Sequence, residues 1–237
     1  MSVKPSIHRR RERKYLVGQR QLAALHERMA GLLQDDVHGA GSRGYYNHSI
    51  YFDSPRYCHY IEKREGLAMR RKPRLRSYRS AIDGDPGAIF LEFKNRANDV
   101  IWKQRQRLDL AEARSMLSHI PRARDVGQKP LLDEFDYCTR RFNLLPAATV
   151  LYHRRAFSVA DFPGLRITYD SRIMGAAGAR WRGGPEGFVY SLPPTLTVVE
   201  IKHDFGFPSW LEAIVRNLEM KRVSISKYAL ALEAVFR

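Results

Sequence analysis

The sequence predicts an α+β protein built on a mostly antiparallel sheet, and three observations carry that prediction. Segments that alternate apolar and polar residues recur along the chain. Neighbouring segments of this kind are joined by short turns rather than crossover helices, and stretches of helical periodicity fall between groups of them. No internal repeat, low-complexity tract or Pro/Gly-rich linker divides the 237 residues, so one domain over 1–237 is expected, with 1–11 as a flexible basic tail.

The elements follow in order. "RKYLV" (13–17) is a short strand, and "QRQLAALHERMAGLLQ" carries Leu22, Leu25, Met29, Leu32 and Leu33 at helical spacing. "HGAGSRG" breaks that helix. "YYNHSIYFDS" is a strand, after which Ser54-Pro55 opens a short helix through Tyr57, Tyr60 and Ile61 that ends at Gly66. Strands are expected at 69–79, 88–95 and 100–108, with "IDGDPG" turning between the first two. "DLAEARSMLSHI" and "KPLLDEFDYCTRRFNLL" are helices; "ATVLYHRRAFSV", "LRITYD", "FVYSL" and "TLTVVEIKH" are strands; "PSWLEAIVRNLEM" and "VSISKYALALEAVF" close the chain as helices.

Composition bounds the function. A 44% hydrophobic content supplies a core, and a formal net charge of +16 favours an acidic partner such as nucleic acid, anionic lipid or a phosphate-rich small molecule. Cys58 and Cys138 share no metal-ligand spacing, which fits a reduced compartment. The first residues lack the apolar run of a signal peptide, and no uninterrupted run of about 18 apolar residues occurs. A soluble, cytoplasmic protein is expected.

Splitting the strands by their period of two places chemistry on one face. Arg70, Lys72, Arg74 and Arg76 share a side; Glu92 and Lys94 alternate with Leu91 and Phe93; Tyr152 shares a face with Arg154; Arg166 alternates with Leu165 and Ile167; Glu200 and Lys202 alternate with Val199 and Ile201. A single such strand is ordinarily the solvated side of a half-buried sheet. Repetition of mostly cationic faces is different, because two like charges roughly 6 Å apart repel by about 3 kcal/mol at an effective dielectric near 20. The pattern therefore points to an anion-binding face. Closed into a barrel with that face inward, the sheet would form a cationic tunnel with its apolar outside covered by helices.

"SIYFDSP", "RLRSYR", "FLEFK", "KQR", "YHRRAF", "RITYD", "VVEIKHD" and "RVSISKYALAL", in this order, resemble the catalytic domain of the vacuolar transporter chaperone (VTC) polyphosphate polymerases, in the triphosphate tunnel metalloenzyme (CYTH-like) superfamily. The resemblance runs from about residue 12 to residue 232. It implies a closed eight-stranded antiparallel β-barrel with a cationic interior, helices packed outside and a C-terminal helix at the tunnel. It also implies a divalent metal, manganese or magnesium, and transfer of the γ-phosphate of ATP to a growing polyphosphate chain with release of ADP. ATP and inorganic polyphosphate would be the partners, with no specific nucleic acid and no transmembrane segment, although a membrane protein could act in trans.

By motif, Lys14, Arg74, Arg76, Lys94, Arg154, Arg166 and Lys227 match the family's catalytic cations. Lys103, Arg105, Tyr152, Lys202 and Ser226 match phosphate or nucleotide ligands, and Glu200, with Glu92 as a second carboxylate, matches the metal ligands. Two departures are local: Ser77 precedes Tyr78 after the Arg-x-Arg pair, and Arg155 stands where a small polar residue is common. The chain resembles a free-standing bacterial-type version, without the SPX domain and membrane segment usual in the eukaryotic proteins.

Arginine suits this work because its planar fork grips phosphate oxygens in two places, and phosphoryl transfer asks a protein chiefly to position phosphates and offset charge. The chain has no Gly-Lys pair, which excludes a standard P-loop, so little contact with the base is expected. No Ser-His-Asp or Cys-His constellation stands out, and a covalent enzyme intermediate is not expected. Two alternatives use the same cations: a triphosphatase or tripolyphosphatase, with water as acceptor, and a non-catalytic binder of polyphosphate or nucleic acid, suggested by "HRRRERK".

Overall fold

The computed structural model describes residues 11–36, 44–79, 87–98, 100–118, 129–181 and 184–237. Residues 1–10 of the expected tail and all of the "IDGDPG" turn except Gly87 lie outside the described residues. The strands are β1 (Arg11–Gly18), β2 (Leu33–Asp35), β3 (Tyr45–Asp53), β4 (Met69–Arg79), β5 (Ile89–Ala97), β6 (Val100–Leu108), β7 (Leu145–Val159), β8 (Arg166–Ala177), β9 (Val189–Tyr190), β10 (Leu196–His203) and β11 (Lys221–Arg222). The helices are α1 (Gln19–Arg28), α2 (Cys58–Arg64), α3 (Leu110–Ser118), α4 (Pro130–Phe142), α5 (Ser209–Asn217) and α6 (Lys227–Val235).

All strands belong to one antiparallel sheet in the order β11-β1-β10-β8-β7-β3-β4-β5-β6, with β2 paired to β7 and β9 to β8. Of the expected closed eight-stranded barrel, the described residues give the large antiparallel sheet: eight long strands lie along the path from β1 to β6, the short β11, β2 and β9 are added to it, and no hydrogen-bonded ladder among these residues joins its two ends. The sheet nevertheless curls enough for its distant members to meet through side chains. Lys94 of β5 stands 4.0 Å from Glu12 of β1, although the two strands are not ladder neighbours.

The apolar outer face is covered in two patches. Leu25 of α1 and Met29 at its C-terminal end, with Leu211 and Val215 of α5, pack on Tyr15, Val17, Ile167, Tyr169, Val199 and Ile201. Met116 of α3 and Leu131, Phe135 and Cys138 of α4 pack on Ile50, Leu75, Leu91 and Phe93. Local chemistry sets the helix ends: Asp109 and Glu112 exchange side-chain-to-backbone hydrogen bonds at the start of α3, Pro130 opens α4, and Asn143 ends it in the left-handed region at φ 52°.

Helix α6 is packed differently. Tyr228, Ala231 and Leu232 join Tyr51, Val150, Tyr152, Ile173 and Val198 in a separate buried cluster. Tyr51, Tyr152 and Val198 have the parity of the charged positions, so α6 covers an apolar end of the inner face. A glycine makes this possible: a Cβ at Gly175 of β8 would lie 2.6 Å from Ala231 Cβ and 2.8 Å from its Cα.

Candidate phosphate tunnel

The inner face collects the sequence-predicted cations around two buried carboxylate centres. The first is Glu92 of β5. Arg74, opposite it in register on β4, donates from Nε and Nη2 to Glu92 Oε2 at 2.9 and 2.7 Å, and from Nη1 to the Tyr51 hydroxyl at 2.7 Å. Lys103 Nζ reaches Glu92 Oε1 at 3.0 Å, Arg105 Nε lies 3.5 Å away, and Arg76 Nη1 stands at 4.0 Å. Arg76 is steadied by the Ser49 and Tyr152 hydroxyls, each accepting at 3.2 Å. Burial opposes the charge of Glu92, but Arg74, Arg76 and Lys103 hold its carboxyl well below the usual range.

The second centre pairs Glu200 of β10 with Asp170 of β8. Arg154 of β7 grips Asp170 with a fork, Nε to Oδ1 and Nη2 to Oδ2, both at 2.6 Å, and reaches Glu200 Oε2 at 3.3 Å. Lys227, at the first turn of α6, bridges Asp170 Oδ2 at 2.6 Å and Glu200 Oε1 at 2.7 Å. Lys14 and Lys202 each lie 3.3 Å from Glu200. Burial would push the Glu200 carboxyl up, yet Lys14, Lys227, Lys202 and Arg154 hold it well below its ordinary value. Burial likewise opposes the Lys227 charge, and Asp170 and Glu200 overcome it.

Other inner cations are offset incompletely. Glu12 supports the charge on Lys94, but burial together with Lys14 and Lys202 brings the amine down to about 8. Burial lowers Lys103 to about 8 against the pull of Glu92. Lys72 is lowered to about 7, by burial and then by Lys94, Arg70 and Lys63; its Nζ donates to Ser226 Oγ at 3.3 Å. Ser226 also caps α6, accepting from the Ala229 amide at 3.5 Å.

The structure therefore brings together Lys14, Arg154, Lys202, Lys227 and Glu200, and separately Arg74, Arg76, Lys103, Arg105 and Glu92, with Tyr152 between Arg76 and Lys227, whose Nζ is 4.9 Å from the Tyr152 ring. Arg166 stands apart from both: it opposes Lys202 in register and pairs with Asp36 at 2.7 Å. Glu92 and Glu200, grouped in the sequence reading as metal ligands, are not brought together, since each is ringed by different cations.

Sequence reasoning passed over Asp170 and Glu12. The signal for Asp170 was present in "RITYD", where it shares the parity of Arg166, and Glu12 precedes Lys14 by two inside "HRRRERK", a stretch read for its positive charge. Among the described residues no group of three His, Cys, Asp or Glu gathers around a point, so a cation caged by protein alone does not fit. Glu200 with Asp170 does fit the other mode, in which a hard divalent ion takes one or two carboxylates and completes its shell with phosphate oxygens and water. Glu92 carries Arg74 and Lys103 on its oxygens, and among the described residues no second carboxylate joins its ion pairs.

Among solved structures, the chain is similar to the PH1819 protein of Pyrococcus horikoshii (15% identity, TM-score 0.49, covering 94% of this chain and 98% of that one). It is also similar to a "putative adenylate cyclase" of Bacillus halodurans (13%, TM-score 0.50, 91% and 92%) and another of Vibrio parahaemolyticus (11%, TM-score 0.48, 93% and 96%). No curated protein sequence matches significantly. The Bacillus halodurans likeness bears on the fold alone, and agrees with a CYTH-like, triphosphate tunnel architecture. The model of the VTC domain matches residues 9–236, nearly the whole chain and every strand of the inner face described above, so the chain belongs to the VTC domain family.

Proposed function

We propose that the chain is a polyphosphate polymerase that transfers the γ-phosphate of ATP to the end of an inorganic polyphosphate chain and releases ADP. The observation that carries this reading is the buried inner face on which cations outnumber the carboxylates that offset them, with Lys72 and Lys94 left partly uncompensated. Such a face is stabilised by a polyanion threaded through it.

The residue roles follow from the contacts. Arg74, Arg76 and Arg154 have their planes set by Glu92, Ser49, Tyr152 and Asp170, so they hold phosphate oxygens with little reordering on binding. Arg166 extends this clamp towards one end. Lys14, Lys94, Lys103, Lys202 and Lys227 supply point charges, and Lys227, fixed by α6, faces the Arg154 centre, where the transferring group belongs. Arg105 joins the Glu92 side of the path, while Tyr152 and Ser226 offer hydroxyls to phosphate oxygens. A terminal oxygen of the chain forms the new bond to the γ-phosphorus, and the bond to the bridging oxygen breaks, that oxygen leaving on ADP. Glu200, with Asp170, would hold a divalent cation, manganese or magnesium, which supplies neutralisation of the β- and γ-phosphate charge.

Incubation of the purified protein with ATP and Mn²⁺ tests the reading. Acid-stable chains and ADP are the expected products, and Glu200→Gln is expected to lower turnover at least about hundredfold while tripolyphosphate still binds. Release of inorganic phosphate without chains would instead establish a hydrolase of the same fold, and binding without turnover would reduce the chain to a polyphosphate-binding module.

A further inference from the structure

The two ends of the inner face are built from different materials. Beside α2, Lys63, Arg70 and Lys72 crowd one another, and the lowered value of Lys63 reflects burial and then the charges of Arg70, Lys14 and Arg96. At the end where β4 finishes and β5 begins, aromatic rings share the face with the cations. Tyr78 lies with its ring 5.7 Å from that of Tyr45 and 6.1 Å from that of Phe90, both edge-on. The Arg105 guanidinium carbon sits 3.4 Å over the Phe90 ring, and its Nη2 is 3.4 Å from the Tyr78 hydroxyl. Arg76 stands 6.0 Å over Tyr78.

Tyr78 and Phe90 have the inward parity of Arg76 and Glu92 and are only partly buried. A phosphate chain has no apolar surface to cover them. Next to Tyr78 in the β3–β4 ladder, and next to Tyr152 in the β3–β7 ladder, Asn47 is fully buried, and neither its Nδ2 nor its Oδ1 has a hydrogen-bond partner. An inward amide lacking partners, beside half-covered rings and a guanidinium held over one of them, is the chemistry of a planar heteroaromatic group: faces to stack on, and a donor and acceptor for its edge.

We propose that Tyr78, Phe90 and Arg105, with Asn47 behind them, form a subsite for the nucleobase of a nucleoside triphosphate, an inference that rests on the triphosphate reading above and departs from the expectation of little base contact. A base seated on Tyr78 puts its phosphates beside Arg76, two residues earlier in β4, and then at the Glu92 centre. Stacking is tolerant of base identity, so the subsite separates nucleotide from inorganic tripolyphosphate more strongly than one base from another.

Calorimetric titration of ATP and of inorganic tripolyphosphate into the wild type, Tyr78→Leu and Tyr78→Phe tests this, with circular dichroism to check each fold. Tyr78→Leu is expected to weaken ATP on the order of tenfold while changing tripolyphosphate less than about twofold, and Tyr78→Phe to restore ATP affinity. Phe90→Leu should repeat the selective loss if Tyr78→Leu fails to fold. Equal losses for both ligands, or no loss for ATP, overturn the subsite. Failure of the wild type to bind tripolyphosphate at all overturns the triphosphate reading beneath it.

Discussion

Filling the tunnel with a polyanion should draw protons from solution, and Lys72 makes the effect measurable. Its amine sits at about 7 because burial and the charges of Lys94, Arg70 and Lys63 disfavour protonation. At pH 8 it is therefore about nine-tenths neutral when the tunnel is empty. A phosphate chain passing it reverses the local field and charges it, which takes up close to one proton. Lys94 and Lys103, both at about 8 but with side chains 43% and 44% exposed, add up to about half a proton each. The sign is fixed by linkage: a ligand that raises these values binds more weakly as pH climbs from 7 to 9, by up to about tenfold per pH unit for each proton taken up. Calorimetric binding of tripolyphosphate at pH 8 in two buffers of different ionisation enthalpy counts the protons, and Lys72→Met removes the contribution of that residue while cancelling the titration of the ligand itself. The expected difference between wild type and variant is near one proton. Equal uptake by the two would refute the reasoning.

Three further outcomes follow from other buried contacts. Lys227→Met leaves Asp170 and Glu200 without the ammonium they share, and should cost about 3–5 kcal/mol in urea unfolding, with a loss of tripolyphosphate affinity. His48, with its Nε2 2.6 Å from the Arg180 carbonyl and its ring against Trp181, is lowered from 6.5 to about 3, by burial and then by Arg79. Its folded value lies below its unfolded one, so its contribution is complete above about pH 6.5 and declines below it. Stability should fall with a slope that approaches about 1.4 kcal/mol per pH unit as pH drops from 6.5 towards 5, a slope that urea melts of His48→Phe should lack. Gly175→Ala drives a methyl into Ala231 and should cost about 1–3 kcal/mol in thermal or urea unfolding, weakening tripolyphosphate as α6 shifts Lys227.

The sequence is most informative where alternation is long. Strand β6 spans Val100–Leu108 and β4 spans Met69–Arg79, as the period-two pattern requires, and that pattern alone puts Arg74, Arg76 and Tyr78 on one side. It fails where the pattern is short or changes phase. Strands β2 and β11 have three and two residues, too few to show a period. Expected to end at Asp170, β8 continues to Ala177 through Arg172 at φ 50°, where its register with β7 shifts and the inward parity changes from even to odd. Helix α1 stops at Arg28 rather than running through Leu33, because Gly31 at φ 83° turns the chain into β2. The composition of the candidate site was legible for the same reason as the strands, whereas its pairing was not. Which cation stands on which carboxylate depends on registers between strands far apart in sequence, such as Lys14 opposite Glu200, and on the curl that carries Glu12 to Lys94.

That pairing constrains how the tunnel can work. In the empty chain each buried carboxylate suppresses the repulsion among its cations: Glu200 has Lys14, Lys202, Lys227 and Arg154 around it, and Glu92 has Arg74, Lys103 and Arg105. Phosphates entering the path compete with those carboxylates for the same donors. Leaving a buried carboxylate unpaired costs several kcal/mol, so a lysine drawn away from Glu200 has to be replaced by another positive charge. The two centres differ in how easily that is done. Glu92 keeps Arg74, which is immobilised by Tyr51 and lies beside it in the ladder, whatever happens to Lys103. At the other centre Asp170 retains its Arg154 fork, but Glu200 is held mainly by three lysines, whose single ammonium groups serve either a carboxylate or a phosphate. The electrostatic vacancy created by binding therefore falls at Glu200 rather than at Glu92. On that ground the carboxylate expected to need a divalent cation first is Glu200, with Asp170 beside it, whereas Glu92 keeps the Arg74 contact that its ladder position supplies.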